Sequence, residues 1–370
     1  MSFKEIFCQD KAVNILHRSF INDRVAHSYI FAGIDGIGKF KTACEFAKLL
    51  LCEKPAIKKD SADSCGKCHS CISFDVGSHP DFNHIYKELL EFTNEGKDKE
   101  TPIEFPIDVV REFLINKVSI KPQLSQRRVF IISESEKLNQ ESQNALLKVL
   151  EEPPAYCCII LICTRPDKLF STIRSRCQVL RFGPVAEEQT VEKLTEMGLE
   201  KKASQYFARL SFGSFGLACS WAKLELAGAN LYETAKNLIT SLSTLKYADT
   251  LNLADRILKQ SRQLAEVWEK LESKTSKKDI NRRAVTTIIT IIISALHDTI
   301  KLNLAPDKPL INFGQKTQIK SLADKLTPEQ AAEKIAETYK TIQWLDDNVN
   351  EKLLFEQLLL NLAIYDKMKV

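Results

Sequence analysis

The residues Gly33-Ile34-Asp35-Gly36-Ile37-Gly38-Lys39-Phe40 follow the spacing of a phosphate-binding loop up to the last position. In such a loop, backbone N–H groups wrap phosphate oxygens and the N-terminus of the following helix favours negative charge. Gly33, Gly36 and Gly38 permit that backbone path, and Lys39 is the residue that would reach the β- and γ-phosphates. The next residue normally offers a hydroxyl to Mg²⁺, and Phe40 has none. Thr42 lies two positions on, about 200° around a helix, and does not replace it. The second magnesium anchor would be an acid at the end of an apolar strand. After VFII this chain has the uncharged Ser133, then Glu134, which could still orient a water. Two separate anchors are missing together, which points to a nucleotide fold that has lost hydrolysis. Magnesium-poor nucleotide binding through Lys39 stays open. A chance glycine turn is the competing reading, and the strand, loop and helix order around it argues against that.

A second group of residues has metal chemistry. Cys65, Cys68 and Cys71 stand at two successive C-x₂-C spacings, and Cys52 precedes them by 13 positions. Four thiolates that converge tetrahedrally make a structural zinc site. The alternative, a set of exposed reduced thiols, is unattractive because such thiols oxidise. His69 sits inside the cluster as a bystander, since four cysteines suffice. Cys157, Cys158 and Cys163 fall in an apolar run and read as packed core thiols, and His79 reads as structural.

These groups need elements to hold them. A helix is expected over 10–21, a buried strand over 28–33, and a helix after Lys39 with Ala43, Phe46, Ala47 and Leu50 on one face. Residues 53–64 are polar and read as a loop. Further buried strands are expected at 127–133 and 157–164, with a helix between them that stops at Pro153-Pro154. Alternation of this kind predicts an α/β domain, a parallel sheet with helices on both faces. After Pro184 the pattern is helical almost throughout, including 186–198 and 201–213.

At 370 residues the chain is too long for one ordinary core. The expected domains are 1–170, carrying the zinc module at 52–71, then a small helical domain over 171–228, then an all-helical domain over 229–370. Hydrophobic content of 44% and charged content of 27% fit a soluble globular protein, and a net charge of +4 announces no nucleic acid by itself. No signal peptide is read at the start, so the eleven cysteines argue for reduced thiols or a metal. The apolar stretch Ala284 to Leu296 is short and broken by Thr and Ser, which favours a buried helix or strand over a membrane span.

With these residues collected, the chain resembles the delta-prime subunits of bacterial DNA polymerase III clamp loaders, a branch of the AAA+ proteins. HSYIFAGIDGIGK, the four cysteines, HPDF, NALLKVLEEPP, LFSTIRSRCQVLRF, FGSFGLA and NVNEKLLFEQLLLNL carry this resemblance along nearly the whole length. It implies an AAA+ core, a helical lid and a C-terminal collar. It also implies that Arg176, in Ser175-Arg176-Cys177, is an arginine finger offered in trans to a neighbour's γ-phosphate. Motors of the family carry Lys followed by Thr or Ser, an Asp-Glu pair, and an Arg in a Gly-Ser-x-Arg segment. Here those places hold Phe40, Ser133-Glu134 and Gly216.

The resemblance therefore implies a non-catalytic DNA replication subunit in the bacterial cytoplasm. It would carry structural zinc and no hydrolysed ATP-Mg²⁺ of its own. It would assemble with gamma/tau and delta subunits and help load a sliding clamp at primer–template DNA, with no membrane partner. The apolar residues Leu353, Leu354, Leu358 and Leu362 are compatible with packing in a collar and equally with an ordinary helix core. Two competing readings are an active gamma/tau-like ATPase motor and a zinc-bearing nucleic-acid module. The second is weakened because Glu53, Asp60 and Asp63 offset Lys54, Lys58, Lys59 and Lys67.

Overall fold

The runs SYIFA, RVFII and CCIILIC are buried at every position, as strands covered on both faces must be. In the computed structural model, which describes residues 3, 6–93, 104–272, 275–346 and 349–363, they form the middle of a parallel sheet. Asn348 of the NVNEKLL motif and residues 364–370 of the expected collar lie outside the described residues.

The sheet unit comprises Met1–Val185 and Ser214–Gly216. Its elements are α1 (Asp10–Ile21), β1 (Ser28–Ala32), α2 (Lys39–Leu51), the short strands β2 (Ala56–Ile57) and β3 (Ala62–Asp63), and α3 (His69–Asp75). They continue with β4 (Phe82–Ile85), α4 (Ile107–Val110), α5 (Asn116–Val118), β5 (Arg128–Ile132), α6 (Gln140–Glu151), β6 (Cys157–Cys163), α7 (Ser171–Arg176) and β7 (Gln178–Arg181). The strand order is β4-β5-β6-β1-β7, with all neighbours parallel.

Alternation along each strand builds two cores. Tyr29, Phe31, Val129, Ile131 and Ile160 pack with Leu16 of α1 and Ala43, Phe46 and Leu50 of α2. On the other face, Ile30, Phe130, Ile132, Ile159 and Leu161 pack with Val109, Val110, Leu114 and Leu146. The α/β class, with helices on both faces, is the one expected. Asn139 caps α6 by accepting from the Ser142 N–H at 2.8 Å, and the helix stops just before Pro153-Pro154. Residues 53–64 differ from expectation: they hold the antiparallel pair β2–β3, too short for periodicity to reveal.

The second unit comprises Ala186–Gly213 and Leu217–Val370. It is helical: α8 (Glu187–Glu196), α9 (Lys201–Leu210), most of α10 (Phe215–Leu226), α11 (Leu231–Ser243), α12 (Thr250–Leu271), α13 (Lys277–Leu304), α14 (Lys316–Ala323), α15 (Pro328–Asp346) and α16 (Glu351–Leu362). One apolar core joins Leu194, Tyr206 and Trp221 to Ile288, Ile292 and Phe355. The Trp221 indole N–H donates to the Thr287 hydroxyl at 3.1 Å inside it.

The expected boundary at 170/171 therefore moves to 185/186. The reason is β7, which pairs with β1 and so belongs to the sheet. Within α16, Leu353 is exposed, whereas Leu354, Phe355, Leu358, Leu359 and Leu362 are buried. The apolar stretch at 284–296 is helical, in the middle of α13. By length and composition α13 could cross a bilayer, but 67% of its most apolar window is buried within the fold.

Candidate nucleotide and metal sites

The loop after β1 leads directly into α2, with Gly36 and Gly38 at φ 74° and 93°, a region that L side chains rarely adopt. Lys39, the first residue of α2, is 4% exposed. Its ammonium donates to the carbonyls of Gly33 (2.5 Å) and Ile34 (2.7 Å) and lies 3.5 Å from Asp35 Oδ1. The four predicted loop residues, Gly33, Gly36, Gly38 and Lys39, thus come together in one turn. Beside them opens a cleft of about 400 Å³ lined by Gly36, Lys39, Phe40, Ser133, Glu136 and Thr164 among others.

The two positions expected to anchor magnesium, 40 and 133, hold a different arrangement. The Phe40 ring packs against His84 with centroids 4.6 Å apart, and His84 against Tyr86 at 4.9 Å. His84 Nε2 lies 2.9 Å from the Ser133 hydroxyl. Burial lowers the His84 pKa to about 4, so the imidazole is neutral at physiological pH. Thr42 is fully buried and bonds back to the Gly38 carbonyl at 2.8 Å. Glu134 forms an ion pair with Lys137 at 2.8 Å. The Phe40 ring, the neutral His84 imidazole and the Ser133 hydroxyl are themselves no anionic ligands for a hard dication, which prefers oxygen donors; the carboxylates lining the cleft are Asp35, Glu134 and Glu136.

Sequence reasoning missed His84 and Glu136. Glu136 Oε1 accepts from the Thr164 N–H and hydroxyl, and its buried Oε2 has no hydrogen-bond partner among the described residues. Neither lies in a recognisable motif. Only the parallel pairing of β4 with β5, which sets His84 opposite Ile131, brings His84 near Ser133.

The sulfurs of Cys52, Cys65, Cys68 and Cys71 lie within 4.8 Å of one another. The Cys52–Cys68 and Cys65–Cys71 separations are 4.0 and 3.9 Å. Zinc–sulfur bonds of about 2.3 Å put tetrahedral edges near about 3.8 Å, so this donor set could hold zinc. Backbone N–H groups of Lys67 and Cys68 point at Cys65 Sγ and bring its pKa down to about 6. His69, the first residue of α3, is outside the group. Cys157, Cys158 and Cys163 are buried in β6, where burial pushes their thiols up to about 11, 12 and 12.

The cysteine module is tied to the sheet through the HPDF segment. Ser70 donates to the Leu51 carbonyl at 2.6 Å and lies 2.8 Å from His79 Nε2, which also meets Ser125 Oγ at 3.2 Å. Asp81, fully buried, accepts from the N–H groups of Gln123, Leu124 and Ser125 and pairs with buried Arg128 at 3.1 Å. His79 is therefore structural, as read.

Arg176 is the last residue of α7 and its side chain is 37% exposed. Nη1 donates to the Thr172 carbonyl at 3.1 Å, and Nη2 lies 3.0 Å from Glu151 Oε1 at the end of α6. Among the described residues its other guanidinium N–H groups make no further hydrogen bond.

Comparison with known proteins sets these sites in context. The family model described as DNA polymerase III, delta subunit, matches residues 8–186, and that for DNA polymerase III, delta subunit, C terminal, matches residues 246–363. DNA polymerase III subunit delta' of Bacillus subtilis is 30% identical over 211 residues, 57% of each chain. The delta' subunit of Pseudomonas aeruginosa is 38% identical over 152 residues, 41% of this chain and 42% of its own. The tau/gamma subunit of Haemophilus influenzae is 32% identical over 196 residues, 53% of this chain and 26% of its own. The matches thus span about half the length of these delta' relatives. Among solved structures, a gamma subunit-related protein of Thermotoga maritima aligns over 92% of this chain and 96% of its own, at 16% identity and a TM-score of 0.39.

Proposed function

Because the chain belongs to the DNA polymerase III delta-subunit family, whose models match it over residues 8–186 and 246–363, we propose that it is a non-catalytic, delta-prime-like subunit of a clamp loader. The observation that carries this reading is the Phe40–His84–Ser133 cluster. A chain that hydrolysed ATP would need anionic oxygen ligands for magnesium where this one has a ring, a neutral imidazole and a hydroxyl. Phosphoryl transfer depends on that charge, so the loop serves as scaffold.

Arg176 is the group that acts, in a neighbour's site. Its guanidinium stabilises charge that develops on a γ-phosphate, a contribution that in other arginine-finger systems is large. The Glu151 contact restrains a long side chain that would otherwise lose rotamer freedom on engaging its target. Residues 186–228 act as lid and 229–370 as collar, and the collar joins this chain to gamma/tau and delta subunits. The assembly, in the bacterial cytoplasm, opens a sliding clamp at primer–template DNA. One structural zinc, held by Cys52, Cys65, Cys68 and Cys71, fixes the module over 52–71 and supplies no chemistry to the reaction.

The test is ATP hydrolysis by the purified chain and by the complex reconstituted with gamma/tau and delta subunits, with Arg176→Ala in parallel. A silent isolated chain and a complex slowed by Arg176→Ala are expected. Hydrolysis by the isolated chain that disappears with Lys39→Ala would make it a motor instead. An unchanged rate of the Arg176→Ala complex would remove the finger.

A further inference from the structure

Ser214, Phe215 and Gly216, at the junction of α9 and α10, belong with the sheet unit although the residues before and after them do not. The Ser214 hydroxyl donates to the Asp35 carbonyl at 2.7 Å, and the Gly216 N–H to the Gly36 carbonyl at 2.6 Å. Between them the Phe215 ring packs on Phe7, with centroids 4.7 Å apart. Lys39 takes the two preceding carbonyls, Gly33 and Ile34. Four consecutive loop carbonyls, from Gly33 to Gly36, each accept a hydrogen bond from the chain itself.

The approach of Gly216 depends on its having no side chain. A Cβ there would stand 2.9 Å from both Cα and O of Gly36, and these are backbone atoms that cannot swing aside. The identity of residue 216 and the closeness of the loop are therefore one feature.

We propose that Ser214–Gly216 is an internal strap that holds the phosphate loop in its ligand-free conformation, so that a nucleoside di- or triphosphate is bound only when the strap lifts. This deepens the non-catalytic reading of the same loop and rests on that loop being a nucleotide cradle by descent. A ligand that binds only the open state has its affinity reduced by the open fraction. Loss of one strap hydrogen bond is expected to raise that fraction about five- to tenfold.

The experiment is calorimetric titration of the full chain with ADP, with and without magnesium, beside hydrogen exchange of amides 34–38. Gly216→Ala should bind ADP about tenfold more tightly than wild type and exchange those amides faster by a similar factor. Adding Lys39→Ala should abolish the gain in binding. Ser214→Ala removes a hydroxyl without adding bulk and should move both readings the same way by a smaller factor. It decides the matter if Gly216→Ala does not fold. Unchanged exchange and affinity in the folded variants would overturn the strap and leave the non-catalytic reading standing. ATP hydrolysis by the wild-type chain would overturn that reading instead, whatever the strap variants do.

Discussion

The hydroxyl of Ser133 lies 2.9 Å from Nε2 of His84, at the strand end where a hydrolytic site would hold a magnesium-binding carboxylate. The pair explains why the imidazole tolerates burial: it keeps one polar partner while staying neutral. Converting Ser133 to Asp would set an anion beside that ring and favour the imidazolium. The His84 pKa, about 4 in the wild type, should rise by one unit or more in Ser133→Asp, as read by NMR titration. An unmoved titration would mean that the two side chains do not meet in solution.

His84 also makes stability depend on pH. Its folded pKa is near 4 and that of an unfolded histidine is about 6.5, so the folded chain binds fewer protons between these values. The contribution is complete above about pH 6.5 and declines as pH falls toward 4. Burial shifts His79 in the same direction. Denaturant melts from pH 7 to pH 4 should therefore show falling stability, with a shallower fall in His84→Phe. Parallel profiles for the two proteins would remove His84 as the cause.

Asp81 and Arg128 form a buried pair in which the carboxylate also receives three backbone N–H donors. Those donors and Arg128 outweigh burial and hold the Asp81 pKa below its ordinary value. Stability from this group is present above the unfolded carboxylate pKa and is lost as pH falls through the folded one. Asp81→Asn leaves the Arg128 charge buried without its partner and should cost about 3–5 kcal/mol in denaturant melts. A cost under about 1 kcal/mol would show that the pair is solvated.

Metal analysis of the purified chain should find close to one zinc per molecule, and Cys68→Ser should bind less than half of that. Strong chelators should lower the melting temperature of the wild type and leave Cys68→Ser nearly unmoved, since ligand removal acts by mass action on a site that only the folded chain offers. The module is tied to Leu51 and His79 through Ser70, so the loss should extend to exchange protection in 68–81. Wild-type protein without zinc would defeat the metal reading.

Arg176 and Glu151 are both substantially exposed, so their ion pair contributes little to folding. Arg176→Ala should change the stability of the isolated chain by less than about 1 kcal/mol. Any fall in the rate of the assembled complex then reflects the lost guanidinium and not a misfolded subunit. A large loss of stability would make this residue a structural one.

The sequence by itself determined the three central sheet strands β1, β5 and β6, the helix after the loop, the four-cysteine group and the absence of a hydroxyl at 40 and of an acid at 133. Each is a local signal: an apolar run, a fixed glycine spacing, a C-x₂-C turn, one residue type at one position. Tertiary structure alone decided what surrounds Phe40 and Ser133. His84 reaches Ser133 because β4 lies beside β5, and nothing in the spacing of 84 and 133 announces that parallel pairing. The same holds for Glu151 beside Arg176, for Ser214 and Gly216 on the phosphate loop, and for β7, which joins the sheet through β1. These are contacts between residues far apart in the chain. Local periodicity carries no record of such contacts, because they arise only when separate elements bury their apolar faces against one another.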